Sequence, residues 1–486
     1  MMPWQWDITA KWKWLALALL IKGAMFAYFA VEFQNTWEAK YIQNGVVIFY
    51  QDSYTYYIPV EEWVDGKGYR GACRMPGFLP IYAPLYSVFG ASAARLFMIV
   101  LQVLLDVLAT YLLALFAYRI QNDRRVFLWS FALAAISSFV SVWNNYAVSD
   151  SWAVSTLIIA FYFLQRYGDS RQTRNLLWAG VWMCWSIFFR PIHLLALPIM
   201  AIYLIALNGG LFHHFKRLLV SGMVFIAPLT GCIGLWTWRN HEVYQKWIPL
   251  QDDPSVCYYN LQDYHLALRD NILAWGMDFQ EWSLNTEFAW FLDSTDHRPC
   301  PLPSRVFTSY FNADSLEVLK GNYHSALATE ALDPQAFASY RMQVIQSSNA
   351  FQNSYVAEKP FDFYVLNRLR LVRLFLFSGR VDNLPLPARQ DMNVAQFAFK
   401  VACLVLLSLV IIFGMVGAVH ALWRGASVER WFLLFPLFHI AVLGGVLGYA
   451  EQRYLTPAYP FLVVGTAFFV PTLWDYWSRW RKSINA

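Results

Sequence analysis

The chain has 486 residues, 58% of them hydrophobic and only 14% charged, with a net charge of +5. A soluble domain usually carries about 25% charged residues, so an ordinary soluble globule is excluded and a polytopic membrane protein is expected. The basic excess lies mostly in short connections between apolar runs and gives no hint of a nucleic-acid partner, and the six cysteines, without CxxC or a His-rich tract, give no zinc signature.

In chain order, about ten transmembrane helices are expected, over 13–33, 92–118, 126–143, 149–166, 175–189, 191–208, 218–237, 396–422, 431–449 and 455–474. The first run starts near Trp14 and is too long for the core of a cleavable signal, so none is expected. The runs flanking Arg190 and Pro191 read either as a tight antiparallel pair or as one kinked helix. Charge favours the pair. With ten spans, Lys11, Lys13, Arg119, Arg124, Arg125, Arg166, Arg171, Arg174, Lys216, Arg217, Arg424, Arg430, Arg479, Arg481 and Lys482 share one face, as the positive-inside rule asks of the cytoplasmic side. The protein then divides into an N-terminal transmembrane module, 1–237, a loop domain, 238–395, and C-terminal transmembrane helices, 396–486.

Two long segments fall on the opposite, extracytoplasmic face. The first outer loop, 34–91, contains "IFYQDSYTYYIPVEEWVDGKGYRGACRMPGFLP", with four acids and five tyrosines, and is expected to hold amphipathic helices. The second is too long to lack structure. Its "SLEVLKGNYHSALATEALDPQAFASYRMQVIQ" has helical spacing broken at Asp333-Pro334, and "FDFYVLNRLRLVRLFLF" reads as a basic amphipathic helix on the membrane surface. Cys257 and Cys300 share this segment and either pair or stay as two thiols.

Asp52 stands near the membrane surface among Tyr50, Tyr54, Tyr56 and Tyr57, and Asp150 at the outer entrance of the fourth span, at the same expected depth. Each acid alone also reads as an ordinary turn or helix-capping Asp. Four arginines, Arg74, Arg190, Arg239 and Arg453, oppose the inward bias of the other basic residues. Guanidinium suits phosphate, although any one of them also reads as a lipid-headgroup contact or as a partner of Glu451 or Asp52. Together they suggest a site that holds a phosphate and removes a proton. Asp106, in "LQVLLDVLATYLL", is the clear intramembrane acid; pairing inside the bundle and an ion path are its two readings.

These motifs resemble the GT-C membrane glycosyltransferases, in particular the bacterial branch of protein mannosyltransferases and the aminoarabinose transferase of lipid A. The stretch "QDSYTYYIPVEEWVDGKGYRGACRMPGFLPIYAPLYSVFG" is similar to the first outer loop of that family. "FFRPIHLLALP", "WTWRNHEVYQKWIPL" and "EQRYLTPAYPFLVV" resemble its later Arg-Pro, Trp-x-x-Arg-Asn and Arg-Tyr-x-x-Pro segments. The resemblance implies an integral membrane glycosyltransferase, a hexosyl- or pentosyltransferase. It would move a sugar from a polyprenyl-phosphate donor to an acceptor hydroxyl on a lipid, glycan or protein, with inversion. It makes Asp52 and Asp150 the catalytic acids, Arg74, Arg453, Arg190 and Arg239 donor-phosphate ligands, and Tyr54, Tyr57 and Glu451 substrate contacts. It also implies a bacterial inner membrane with the site facing outward. Some members carry two adjacent acids in this loop; here Ser53 follows Asp52, so no cofactor is expected and a divalent metal is doubtful. A lipid-linked sugar flippase or other transporter is the alternative, and the chain shows no internal repeat of the kind inverted halves leave.

Overall fold

Runs this apolar have no water to satisfy their backbone, and the helix does so within the segment. In the computed structural model, which describes residues 10–37, 39–50, 52–69, 71, 74–211, 214–251, 262–277, 290–296, 298–378, 384–387, 389–423 and 427–484, all the expected runs are helical. They belong to two compact units. Met1–Asp252, Gly379–His439 and Thr456–Ala486 form the first; Asp253–Ser378 and Ile440–Leu455 form the second.

The first unit begins with α1 (Lys11–Thr36), a two-stranded hairpin, Ile42–Gln43 with Val47–Ile48, and α2 (Asp52–Val64). The long helix α3 (Leu79–Gln121) follows. It starts before the expected boundary at 92 with Pro80 at its second position, where a missing N–H costs little, and with Pro84 inside the helix; the part beyond Gly90 begins close to that boundary. Gly90 then kinks it at a positive φ of 72°, a conformation that glycine takes without strain. α4 (Arg124–Ile136) breaks at Ser137, and α5 (Ser138–Ser141) continues at 45° to it. α6 (Asp150–Ser170) and α7 (Thr173–Phe189) lead to Arg190, whose extended backbone ends the helix. A 3₁₀ turn, Pro191–Ala196, opens α8 (Leu197–Leu207). The Arg171 guanidinium donates to the Leu207 carbonyl at 3.0 Å, so this leg runs back to the turn between α6 and α7. The chain therefore reverses at Arg190-Pro191 and is not one kinked helix. α9 (Phe215–Tyr244) follows, and the helices Val394–Trp423 and Tyr459–Ile484 complete the unit. These last two meet backbone to backbone, since a Cβ on Gly417 would strike the Gly465 carbonyl and one on Gly465 the Gly414 carbonyl. Small residues of this kind let membrane helices pack closely.

Among the described residues, five helices are long and apolar enough to cross a membrane, or six with the bent pair around Ser137. The protein is an integral membrane protein. Val428–Val446, one of the five, passes from 3₁₀ through α to π turns, and others of the expected ten are short, such as α7 with 17 residues.

The second unit contains α10 (Asp263–Ala274), α11 (Ala313–Thr329), α12 (Pro334–Glu358) and α13 (Asn367–Phe377). Asn312 caps α11 in a reciprocal capping box with Ser315, and Asp333 caps α12 with Pro334 at its first position, which is why the helical pattern breaks there. Tyr264, Leu268, Trp275, Trp290, Tyr323, Phe351 and Tyr355 form its core. Cys300 is a free thiol, and Cys257 lies outside the described residues.

Candidate functional site

Asp52 occupies the first turn of α2, where a carboxylate suits the positive end of the helix dipole. Arg74, from the loop before α3, reaches back to it: Nη2 lies 3.1 Å from Asp52 Oδ1, and Nε donates to Thr55 Oγ1 at 3.1 Å. The guanidinium also stacks 4.6 Å from the centre of the Tyr56 ring. The side chains of Arg74 and Asp52 are 18% and 24% exposed.

Tyr56 carries the connection inward. Its hydroxyl accepts a 2.7 Å hydrogen bond from Ser149, the residue before α6. Asp150, at the start of α6, pairs with Arg190 at 3.0 Å, and both are buried, with side-chain exposures of 0% and 9%. Asp150 is thus a buried partner of an arginine rather than a solvated cap. Arg190 is held where α7 ends. Beside it Ser186 shares a hydrogen bond of 2.5 Å with His193 Nδ1 and donates to the Ala153 carbonyl. Gly77, of the "RMPGF" stretch, seats this loop on α7: Trp185 donates to its carbonyl at 3.0 Å, and a Cβ there would lie 2.7 Å from the Phe188 oxygen. Asp52, Arg74, Asp150 and Arg190 therefore share one connected constellation.

The other sequence candidates are distributed as follows. Tyr54 is exposed and packs edge-on against Phe49. Tyr57 is fully buried among Phe49, Phe78 and Tyr82, and burial pushes its hydroxyl well above the usual tyrosine pKa. Arg239 lies among the rings of Tyr69, Trp236 and Tyr244 and donates to Asn240 at 2.7 Å, which ties α9 to the first loop through Tyr69. Glu451 and Arg453 belong to the second unit. Between them Gln452 donates to the Leu376 carbonyl at 2.9 Å and accepts from Ser378 at 3.1 Å. Among the described residues, no group of three or more His, Cys, Asp or Glu side chains could hold a metal ion.

Two buried polar clusters lie apart from these candidates. Pairing inside the bundle is one of the two expected readings of Asp106, but the sequence does not name its partner, and the second cluster is not expected from it. Asp106 pairs with Lys22 of α1 at 3.0 Å. Lys22 also donates to Ser141, Asn144 donates to Asp106, and Ser151 donates to Asn144, which brings the network to the first turn of α6 beside Asp150. Glu61 of α2 is gripped by Arg95 at 2.6 Å and by the Tyr82 hydroxyl at 2.5 Å, and Arg95 also reaches Gln43 of the hairpin. Lys22 and Arg95 each interrupt an apolar run, the one signal that could have marked them.

No family model matches the sequence, and no curated protein sequence matches it significantly. Solved structures do. The archaeal oligosaccharyltransferase AglB from Archaeoglobus fulgidus, in complex with an inhibitory peptide and a dolichol-phosphate, aligns over 98% of this chain at a TM-score of 0.50 and 13% identity. The likeness is one of fold. The chain spans 52% of the length of that enzyme. ArnT from Cupriavidus metallidurans bound to undecaprenyl phosphate aligns over 94% of this chain and 77% of its own, at a TM-score of 0.34 and 14% identity. The apo state of that ArnT aligns over 95% and 78%, at a TM-score of 0.32. At 13% identity the AglB likeness speaks to the fold alone.

Proposed function

We propose that the protein is an integral membrane glycosyltransferase that transfers a sugar from a polyprenyl-phosphate donor to an acceptor hydroxyl. The observation that carries this reading is the partly exposed Asp52–Arg74 pair, joined through Tyr56 and Ser149 to the buried Asp150–Arg190 pair. The likeness of fold to AglB supports it.

In this reading Asp52 is the base. Its carboxylate takes the proton of the acceptor hydroxyl as the oxygen attacks the anomeric carbon. The bond from that carbon to the phosphate oxygen breaks, and its electron pair leaves with the polyprenyl phosphate. Arg74 stabilises the charge that grows on the departing phosphate. Its present partner, the Asp52 carboxylate, keeps that guanidinium at the spot where base and phosphate must meet. Direct displacement inverts the anomeric carbon. Arg190 pairs with Asp150, and the pair fixes the start of α6 behind the reacting groups. Arg239, Arg453, Tyr54 and Glu451 are proposed as further donor and substrate contacts.

The reaction is proposed for the extracytoplasmic side of a bacterial inner membrane. Nucleotide sugars are cytoplasmic, so a transferase facing outward needs a donor whose lipid chain lies in the bilayer. The opposite end of the helices, with Arg119 on Asp169 and Arg125 on Asp475, carries the basic bias of a cytoplasmic face. The test is donor turnover: the purified protein, given a lipid extract of its host, consumes one polyprenyl-phosphate sugar and releases polyprenyl phosphate. Consumption of none, with lipid-linked sugar crossing reconstituted vesicles instead, would replace the reading by that of a flippase.

A further inference from the structure

In the second unit a helical stretch from Pro360 runs through a π turn, Asp362–Leu366, into α13. One side of it is core: Asn367 donates to the Ala274 carbonyl and the Tyr355 hydroxyl, and Leu371, Leu374 and Phe375 are buried. The other side is bare. Phe361 and Tyr364 are each 64% exposed and Leu369 61%, three large apolar side chains spaced to line one helix face. Val446 and Leu447, exposed at 68% and 51%, lie on the segment against which α13 packs. There Val372 lies against Gly444, and the Arg368 guanidinium against Gly448.

That segment ends Val428–Val446, one of the helices long and apolar enough to cross a membrane. The bare face therefore sits where a membrane helix ends. Its charge matches the same level: residues 361–377 hold Arg368, Arg370 and Arg373 against the single acid Asp362. Aromatic and aliphatic groups with flanking arginines are the composition of a helix that lies in the headgroup layer and is drawn to anionic lipid.

We propose that the stretch Phe361–Phe377, with Val446 and Leu447, is a membrane-docking face that seats the second unit on anionic lipid headgroups. The inference does not depend on the catalytic reading. It is tested on the full chain in nanodiscs, with a fluorescent amino acid replacing Leu369 in one protein, Leu332 in a second and Leu20 in a third. Leu332 is an 84% exposed residue between α11 and α12, and Leu20 an exposed residue of α1. Lipids brominated high on their acyl chains quench a probe that touches the bilayer. The expected result is loss of about half the emission or more at 369 and at 20, with little loss at 332, and weaker quenching at 369 in purely zwitterionic lipid or with Arg370→Glu and Arg373→Glu combined. Quenching at 20 but no more at 369 than at 332 overturns the proposal and leaves the face to a protein partner. Full quenching at 369 that ignores both lipid charge and the arginine changes overturns the headgroup assignment.

Discussion

Two carboxylate–arginine pairs of nearly equal length sit in very different surroundings. Asp52–Arg74 spans 3.1 Å and is partly exposed; Asp150–Arg190 spans 3.0 Å and is buried. In water the partners of a pair are exchangeable, because solvent and ligands compete for each charge. In a buried site each charge needs the other, because neither can return to water. On the proposed reading the first pair gives up its partner to a substrate and the second does not, so the proposal assigns chemistry to the exposed pair and architecture to the buried one, although both read alike in the sequence.

The sharpest way to break this division is Asp52→Asn. It keeps the shape and removes the proton acceptor, so transfer should fall by about 10²–10⁴-fold, with thermal unfolding unchanged. Near-normal turnover would remove Asp52 from the reaction. Arg190→Met should act on the other axis, lowering stability by about 3–5 kcal/mol because it strands the Asp150 carboxylate. A thermal or denaturant melt in detergent reads this, and Asp150→Asn should lose less stability while reducing transfer. A melt unmoved by Arg190→Met would contradict the structural role. Arg74→Ala should cost about 1.5–3 kcal/mol of affinity for polyprenyl phosphate alone, with only part regained in Arg74→Lys, whose point charge lacks the fork. If Arg74→Ala binds that lipid as tightly as the parent, the phosphate role passes to Arg453.

The smallest effect should come from a third pair, Arg341 with Asp263 of the second unit, 2.7 Å apart and nearly half exposed on both sides. The Arg341 hydrogen bonds hold the Asp263 carboxyl below the usual carboxylate range. A depressed folded-state pKa stabilises above the unfolded value, and the contribution is lost as pH falls through the folded one. Arg341→Gln should therefore cost at most about 1 kcal/mol at neutral pH, and nothing once acid has protonated Asp263. A pH series of melts checks both parts, and a larger loss at low pH than at neutral pH would reverse the assignment.

The helices were legible because apolar runs in a chain this poor in charge have few alternatives. That a helix of the first outer loop runs on into the next span at Gly90 was not, since Pro80 and Pro84 look like loop residues. Asp52, Arg74, Asp150 and Arg190 could be chosen by residue type and motif, but their pairing could not, because partners in a bundle are set by tertiary packing. For the same reason Tyr57, one of a run of similar tyrosines, gave no sign that it faces the core while Tyr54 faces out. Asp106 drew attention as a lone intramembrane acid, yet nothing in the run around Lys22 names its partner.

That partnership has a consequence for the height of the first helix. One residue along a helix is a rise of about 1.5 Å and a turn of about 100°. A piston movement or roll of α1 by even that much would carry Lys22 off Asp106 and leave both charges stranded in an apolar medium. The pair thus acts as a registration pin. It sets the vertical position of α1 against α3, and with it the level at which the chain leaves the bilayer to build the hairpin and α2. The level of Asp52 is in this sense gauged from a buried point on α1 and α3, and in the proposed reaction a lipid-borne donor would be met at a fixed height.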